Sequence, residues 1–190
     1  AMTDAYRFDE SSTEQAIAYA KIYAGENYSP AMETVLKVAF SEKRNLPTFR
    51  LKSSDTILLS GYMKKWVGAY LAGYNNRPSV RTGNCSGTHP DPMAKTILRA
   101  RISGLEDNLA DKIVARHSLL MTIENNIGEL LEEYLSVKLS PLGWYCCWGS
   151  TIDAVDFCKA DGSLLQIKTS DNSENSSSSR VRQGTPIGKW

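Results

Sequence analysis

The sequence predicts an α/β fold of the α+β kind, in which a largely helical N-terminal part precedes a small mixed sheet flanked by helices. Three observations carry this. Apolar residues recur at helical spacing through about the first two-thirds of the chain. After Pro141 and Gly143 the period changes to short aromatic and β-branched runs separated by turn residues. The apolar share, 42% of 190 residues, suffices for a full hydrophobic core.

Ser12 or Thr13 can cap a first helix that runs through Ala16, Ile17, Ala20 and Ile22 to about Gly25. Pro30, tolerated where a helical N–H needs no partner, opens a second helix through Met32, Val35, Leu36, Val38 and Ala39. Residues 56–72 make a third apolar-rich segment, and Gly, Asn, Pro and Ser mark a loop over roughly 73–92. Asp91-Pro92 opens the next helix with the aspartate as its cap. From Leu105 to about Leu139 the residues Leu109, Ile113, Leu120, Ile127, Leu131 and Leu135 keep the helical period. One helix of that length is unusual in a globular domain, so a break is expected near His117-Ser118 or Gly128. Trp144–Trp148, 152–158 and 163–169 read as strands, the last two forming a hairpin.

No run reaches eighteen apolar residues, so no membrane-spanning helix is expected. The opening Ala1-Met2-Thr3-Asp4 lacks the basic and apolar blocks of a signal peptide, which points to the cytoplasm and to thiols rather than disulfides for the four cysteines. The net charge of +1 hides segregation. Between residues 37 and 65, Lys37, Lys43, Arg44, Arg50, Lys52, Lys64 and Lys65 outnumber Glu42 and Asp55. Such asymmetry permits one basic face for nucleic acid within a nearly neutral total.

The hairpin carries the chemistry. Lys159-Ala160-Asp161-Gly162-Ser163 fits a type I turn with Gly162 in the left-handed bulge position. Pairing Lys159 with Ser163 sets Asp156 opposite Gln166, and places Asp156, Gln166 and Lys168 on one face. A tighter type I′ turn on Asp161-Gly162 shifts the register by one and brings Asp153 to that face instead. The two aspartates are rivals, and Asp156 is preferred.

Asp156 can ligate a divalent metal, with the Gln166 side-chain oxygen as a neutral ligand. Oxygen ligation of this kind suits Mg²⁺, which keeps several waters and binds phosphate oxygens. The metal polarises a scissile phosphate and lowers the pKa of a bound water. Lys168 positions the attacking water and offsets charge in the transition state. A further acid is expected from the helix before the sheet, where Glu129 and Glu133 lie four residues apart on one face. Glu129 is preferred because Gly128 beside it permits a close approach. The metal set is thus Asp156, Gln166 and Glu129.

Beyond Lys168 runs a polar tract from Thr169 to Thr185. Hydroxyls and amides such as Ser170, Asn172, Asn175 and Ser177 can donate to phosphate oxygens and base edges, and Arg180 or Arg182 can contact guanine bidentately. A serine linker is the simpler alternative, opposed by the folded-looking Thr185-Pro186-Ile187-Gly188-Lys189-Trp190.

Asp156 followed by Gln166-x-Lys168, with Glu129 on the preceding helix, resembles the PD-(D/E)XK nuclease superfamily. Val155 stands where that pattern usually has proline, and Gln166 where it has an acid. The run from Lys168 to Ser179 looks like the polar segment after the catalytic lysine of certain type II restriction endonucleases. The resemblance covers about 125–190. It implies a restriction-endonuclease-like fold, an Mg²⁺-dependent site-specific deoxyribonuclease acting on double-stranded DNA, and a homodimer cutting near-palindromic sites. Residues 1–104 are then a helical DNA-binding and dimerisation region, and 105–190 the catalytic region. The alternatives are a DNA-binding protein of nuclease-like fold that has lost cleavage, favoured by Gln166, and a structure-specific repair nuclease.

Other constellations are weaker. Cys85 and His89 need two further ligands for zinc, and Cys146-Cys147 alternate faces on a strand. His117 reads as a packing or surface residue, and Trp144, Tyr145 and Trp148 as core. The glycines near Asn84 lack the spacing and lysine of a phosphate loop.

Overall fold

The computed structural model describes residues 10–49, 58–81, 92–168 and 186–189. It is α+β, as the period change predicts. Helix α1 spans Thr13–Ala24 and buries its small Ala16, Ala20 and Ala24, which lets α3 approach closely. Helix α2, Pro30–Ser41, begins where Ser29 Oγ accepts the Met32 N–H at 3.2 Å, a cap worth about 1 kcal/mol. Its buried face is Met32, Val35, Leu36, Val38, Ala39 and Phe40. Helix α3, Leu59–Asn75, extends past the expected end near residue 72. Helix α4 spans Pro92–Arg101; the proposed cap Asp91 lies outside the described residues.

Helix α5 runs unbroken from Asp107 to Leu139, 33 residues and about 50 Å. The break expected at His117-Ser118 or Gly128 is absent. Ser118 and Thr122 turn their hydroxyls back to the carbonyls four residues earlier, leaving the backbone ladder intact. A helical glycine costs only about 1 kcal/mol against alanine. Packing of Leu131, Leu135 and Leu139 against the sheet offsets that. A turn through Pro141 ends the helix.

The sheet has four short strands in the order β1 (Trp144–Cys146), β2 (Phe157–Lys159), β3 (Leu164–Gln166) and β4 (Ile187–Lys189). The first two pairs are antiparallel and the third is parallel, so the sheet is mixed. The strand expected over 152–158 starts only at Phe157. Ser150 and Ala154 adopt left-handed backbone conformations at φ 54° and 56°, which turns the chain before it can extend.

The main core joins α1–α3 to the chain around β2. Trp66 and Tyr62 are fully buried beside Ile152, Val155 and Cys158. Two polar bonds lock this junction. Trp66 Nε1 donates to the Thr151 carbonyl at 2.9 Å, and the Asp153 N–H donates to the carbonyl of buried Asn45 at 2.9 Å. Leaving the indole N–H unmatched would cost about 1–3 kcal/mol. The aromatic strand is core, as expected: Tyr145 and Trp148 pack on this cluster, while Trp144 and Trp148 border a second one around Leu135, Cys146 and Phe157.

Candidate active site

The hairpin turn fixes which side chains meet. Gly162, at φ 88°, donates its N–H to the Lys159 carbonyl at 3.0 Å, and Lys159 N–H reaches the Ser163 carbonyl at 2.9 Å. Asp161 Oδ1 accepts the Ser163 N–H and steadies the turn. Phe157 pairs with Leu165 and Cys158 with Leu164, so extending the register sets Asp156 opposite Gln166. The structure therefore has the bulged register and not the tight type I′ one. Asp153 is exposed in the turn ahead of β2.

Asp156 is half-buried, and its Oδ2 accepts the Ile167 N–H at 2.7 Å. Burial raises its pKa, while that N–H and the Lys168 ammonium act in the opposite sense. Lys168, two residues beyond Gln166, is thus close enough to act on Asp156 electrostatically. Gln166 and Lys168 are both partly buried.

Facing the hairpin is α5. Residues Asp156, Glu129 and Glu132 line one cleft of about 340 Å³, together with Asn76, Arg77 and the chain from Cys146 to Ser150. Glu132 is the residue the sequence reading missed. Burial first, then the negative charges of Asp156 and Glu129, push its carboxyl up to about 7. Its signal was available: it sits between Leu131 and Leu135, whose side chains mark the sheet-facing side of α5. Glu129 lines the same cleft but is exposed. The reason given for preferring it is not met, because a Cβ on Gly128 would meet only open space. Glu133 faces elsewhere. It accepts the Ser79 N–H at 2.8 Å and the Ser79 hydroxyl, and pairs with Arg77 Nε at 3.3 Å.

The far wall is held by contact between backbones. Gly73 of α3 lies against Gly149, and Gly149, at φ 70°, lies against the Ala69 carbonyl, leaving no room for a Cβ at either position. Tyr74 and Trp148 meet edge to face, with centroids 5.9 Å apart. Cys146 borders the cleft, but burial and the charges of Glu132 and Asp156 raise its thiol pKa, keeping it a protonated, unreactive thiol.

Among the described residues, no group of three or more His, Cys, Asp or Glu side chains forms a metal cage. Mg²⁺ needs no such cage, since it binds through one or two carboxylates and keeps its waters. Asp156 and Glu132, two half-buried carboxyl groups in one cleft with the Glu132 proton retained by burial and by the neighbouring negative charges, are a donor set that a divalent cation fits. The proposed DNA contacts Ser170, Asn172, Asn175, Ser177, Arg180 and Arg182, and the Cys85–His89 loop, lie outside the described residues. Of the basic segment, Lys37 pairs with Glu33 and Arg44 with Glu42, while Lys64 and Lys65 are exposed. His117 is exposed on α5, as the sequence suggested. No helix among the described residues is long and apolar enough to cross a membrane.

The pattern of the SinI restriction endonuclease family matches residues 53–190. The chain is 44% identical over 108 residues to the type II restriction enzyme SinI of Salmonella infantis, and equally to the type II restriction enzyme Eco47I of Escherichia coli. Each alignment covers 54% of this chain and 46% of the relative, so the matched part spans about half the length of these relatives.

Proposed function

Because the chain belongs to the SinI restriction endonuclease family, we propose that it is a type II restriction endonuclease of the PD-(D/E)XK kind that hydrolyses phosphodiester bonds at specific double-stranded DNA sites with Mg²⁺. One observation carries the chemistry: Asp156, Glu132 and Glu129 share one cleft, with the Lys168 charge acting on Asp156. Asp156 and Glu132 would hold the ion, with Gln166 as a neutral oxygen donor and Glu129 at the rim. When bound, the ion polarises the phosphate and makes its water more acidic.

The remaining work falls to the protein's own groups. Asp156 is oriented by the Ile167 N–H and so presents a fixed carboxylate edge. Lys168, attracted to Asp156, orients the attacking water and offsets the charge gathering on the phosphate oxygens. The buried wall of Cys146, Cys147 and Val155 excludes bulk water from one side, which strengthens each of these interactions. Residues 105–190 carry this chemistry and residues 1–104 wrap the DNA. Ser170, Asn172, Asn175, Ser177, Arg180 and Arg182 read bases and phosphates. The enzyme acts in the cytoplasm as a homodimer, since two identical active sites about a two-fold axis cut both strands of a symmetric site.

Incubating the purified protein with plasmid and Mg²⁺ tests this. Discrete fragments are expected. An intact plasmid across many sequence contexts would overturn the reading in favour of a non-cutting DNA binder, and cleavage confined to branched or mismatched DNA would indicate a repair nuclease.

A further inference from the structure

We propose that a second copy of this chain docks, antiparallel, on the exposed apolar side of α5. The helix has three sides. Leu131, Leu135 and Leu139 pack on the sheet, and α4 is tied to another side by the Lys95–Asp111 and Arg99–Asp107 ion pairs. The third side carries Leu120, Ile123, Ile127, Leu130, Tyr134 and Val137, all between 44% and 68% exposed. A helix facing water shows polar residues there.

These six residues are spaced alternately three and four apart, the 3.5-residue repeat that a second helix requires for a continuous seam. Ile113 and Leu109 continue the same repeat toward the N-terminus, with Arg116 between Ile113 and Leu120. Arg116 selects the direction. Parallel packing would set it against its own copy. Antiparallel packing stacks Leu120 on the partner's Ile123 and Ile113 on the partner's Leu130. Arg116 then lies over the partner's Ile127, with its guanidinium within reach of the partner's Glu124.

The area is adequate. The side chains of the stripe expose on the order of 700 Å² per protomer, close to the ~800 Å² per partner of a standard interface. The seam also leaves the cleft open, because Glu132 projects from the sheet-facing side of the helix. The dimer contact thus falls on α5, not within residues 1–104 as the sequence suggested. This inference rests on the two-subunit reading above and is independent of the cleft chemistry.

Sedimentation equilibrium of the purified protein at tens of micromolar tests it, with circular dichroism confirming that variants keep their helix content. The wild type is expected to be a dimer. Leu120→Glu with Ile127→Glu should raise the dissociation constant on the order of 100-fold. Should that variant fail to fold, the charged pair serves: Arg116→Glu should weaken the dimer, and Arg116→Glu with Glu124→Arg should restore it. A monomeric wild type overturns both this proposal and the two-subunit reading. A wild-type dimer whose folded variants remain dimers overturns the α5 surface alone, and failure of the charge swap to restore association overturns the antiparallel arrangement.

Discussion

The charge of Asp156, on the hairpin, helps hold a proton on Glu132 of α5. The two residues are 24 positions apart in the chain, and helix and hairpin bring them to one cleft. In the absence of a cation, the Glu132 carboxyl therefore titrates near neutrality.

This gives a pH dependence with a definite sign. Between the ordinary value of 4.5 and about 7, the folded protein binds more protons at Glu132 than the unfolded chain does. The metal-free protein therefore loses stability as pH rises through that window, on the order of 2 kcal/mol after allowance for solvent screening. Urea denaturation in chelator at pH 5 and pH 7.5 should show the loss, and Glu132→Gln should flatten it. An unchanged slope in that variant would show that Glu132 is not the titrating group.

Lys168→Ala should reduce cleavage by about 10²–10³-fold, the range for losing one group that stabilises charge in the transition state, and leave DNA binding within a few-fold. Single-turnover cleavage and a filter-binding assay without Mg²⁺ separate the two. Equal losses in both would make the lysine a DNA contact.

Asp156→Asn should abolish metal-dependent cleavage, whereas Asp153→Asn should change it little, because Asp153 is exposed in the preceding turn. Titration with Mn²⁺ of each variant gives a readout besides activity. The reverse ranking would move the metal away from the cleft.

Gly149→Ala should destabilise the fold by about 3 kcal/mol or more, since it adds a Cβ against the Ala69 carbonyl at a backbone conformation that favours glycine. Thermal unfolding measures this. A stable, fully active variant would mean that α3 and the β1–β2 connection can separate without loss.

Arg180→Ala and Arg182→Ala test the polar tract. If one arginine reads guanine, its loss should cost about 1–3 kcal/mol of discrimination at one base pair. A phosphate contact would weaken binding to all DNA alike and reduce the salt slope by about one charge. Competition with single-mismatch duplexes at two salt concentrations tells these apart. No effect from either variant would make the tract a linker.

The hairpin was legible because its turn is local. Lys159 to Ser163 contain their own register, and Gly162 leaves few ways to close it. The helices were legible from their period and from Pro30, whereas the Ser12 cap expected for α1 makes no side-chain capping bond and the Ser29 cap of α2 was not foreseen. What was not legible depended on tertiary phase. Glu129, Glu132 and Glu133 are alternatives until α5 is rotated against the sheet, and the sheet itself decides that rotation through Leu131 and Leu135. The unbroken α5 was missed for a similar reason, because support from α4 and the strands is not written in the helix's own residues. The early start of β2 failed at Ala154, whose left-handed backbone reflects a tether from Asp153 to Asn45.

The bond from Trp66 to Thr151 also orders events in time, for it joins residues 85 positions apart. At about 5–20 residues per second, roughly 4–16 s of synthesis separate α3 from the segment carrying Asp156. Until then Trp66 and Val67 lack the chain that covers them. The cleft draws one wall from residues 73–78 and the other from 129–156, so it cannot close before residue 156 is made. A growing chain thus has no assembled cleft until Asp156 has been added and has cleared the ribosome.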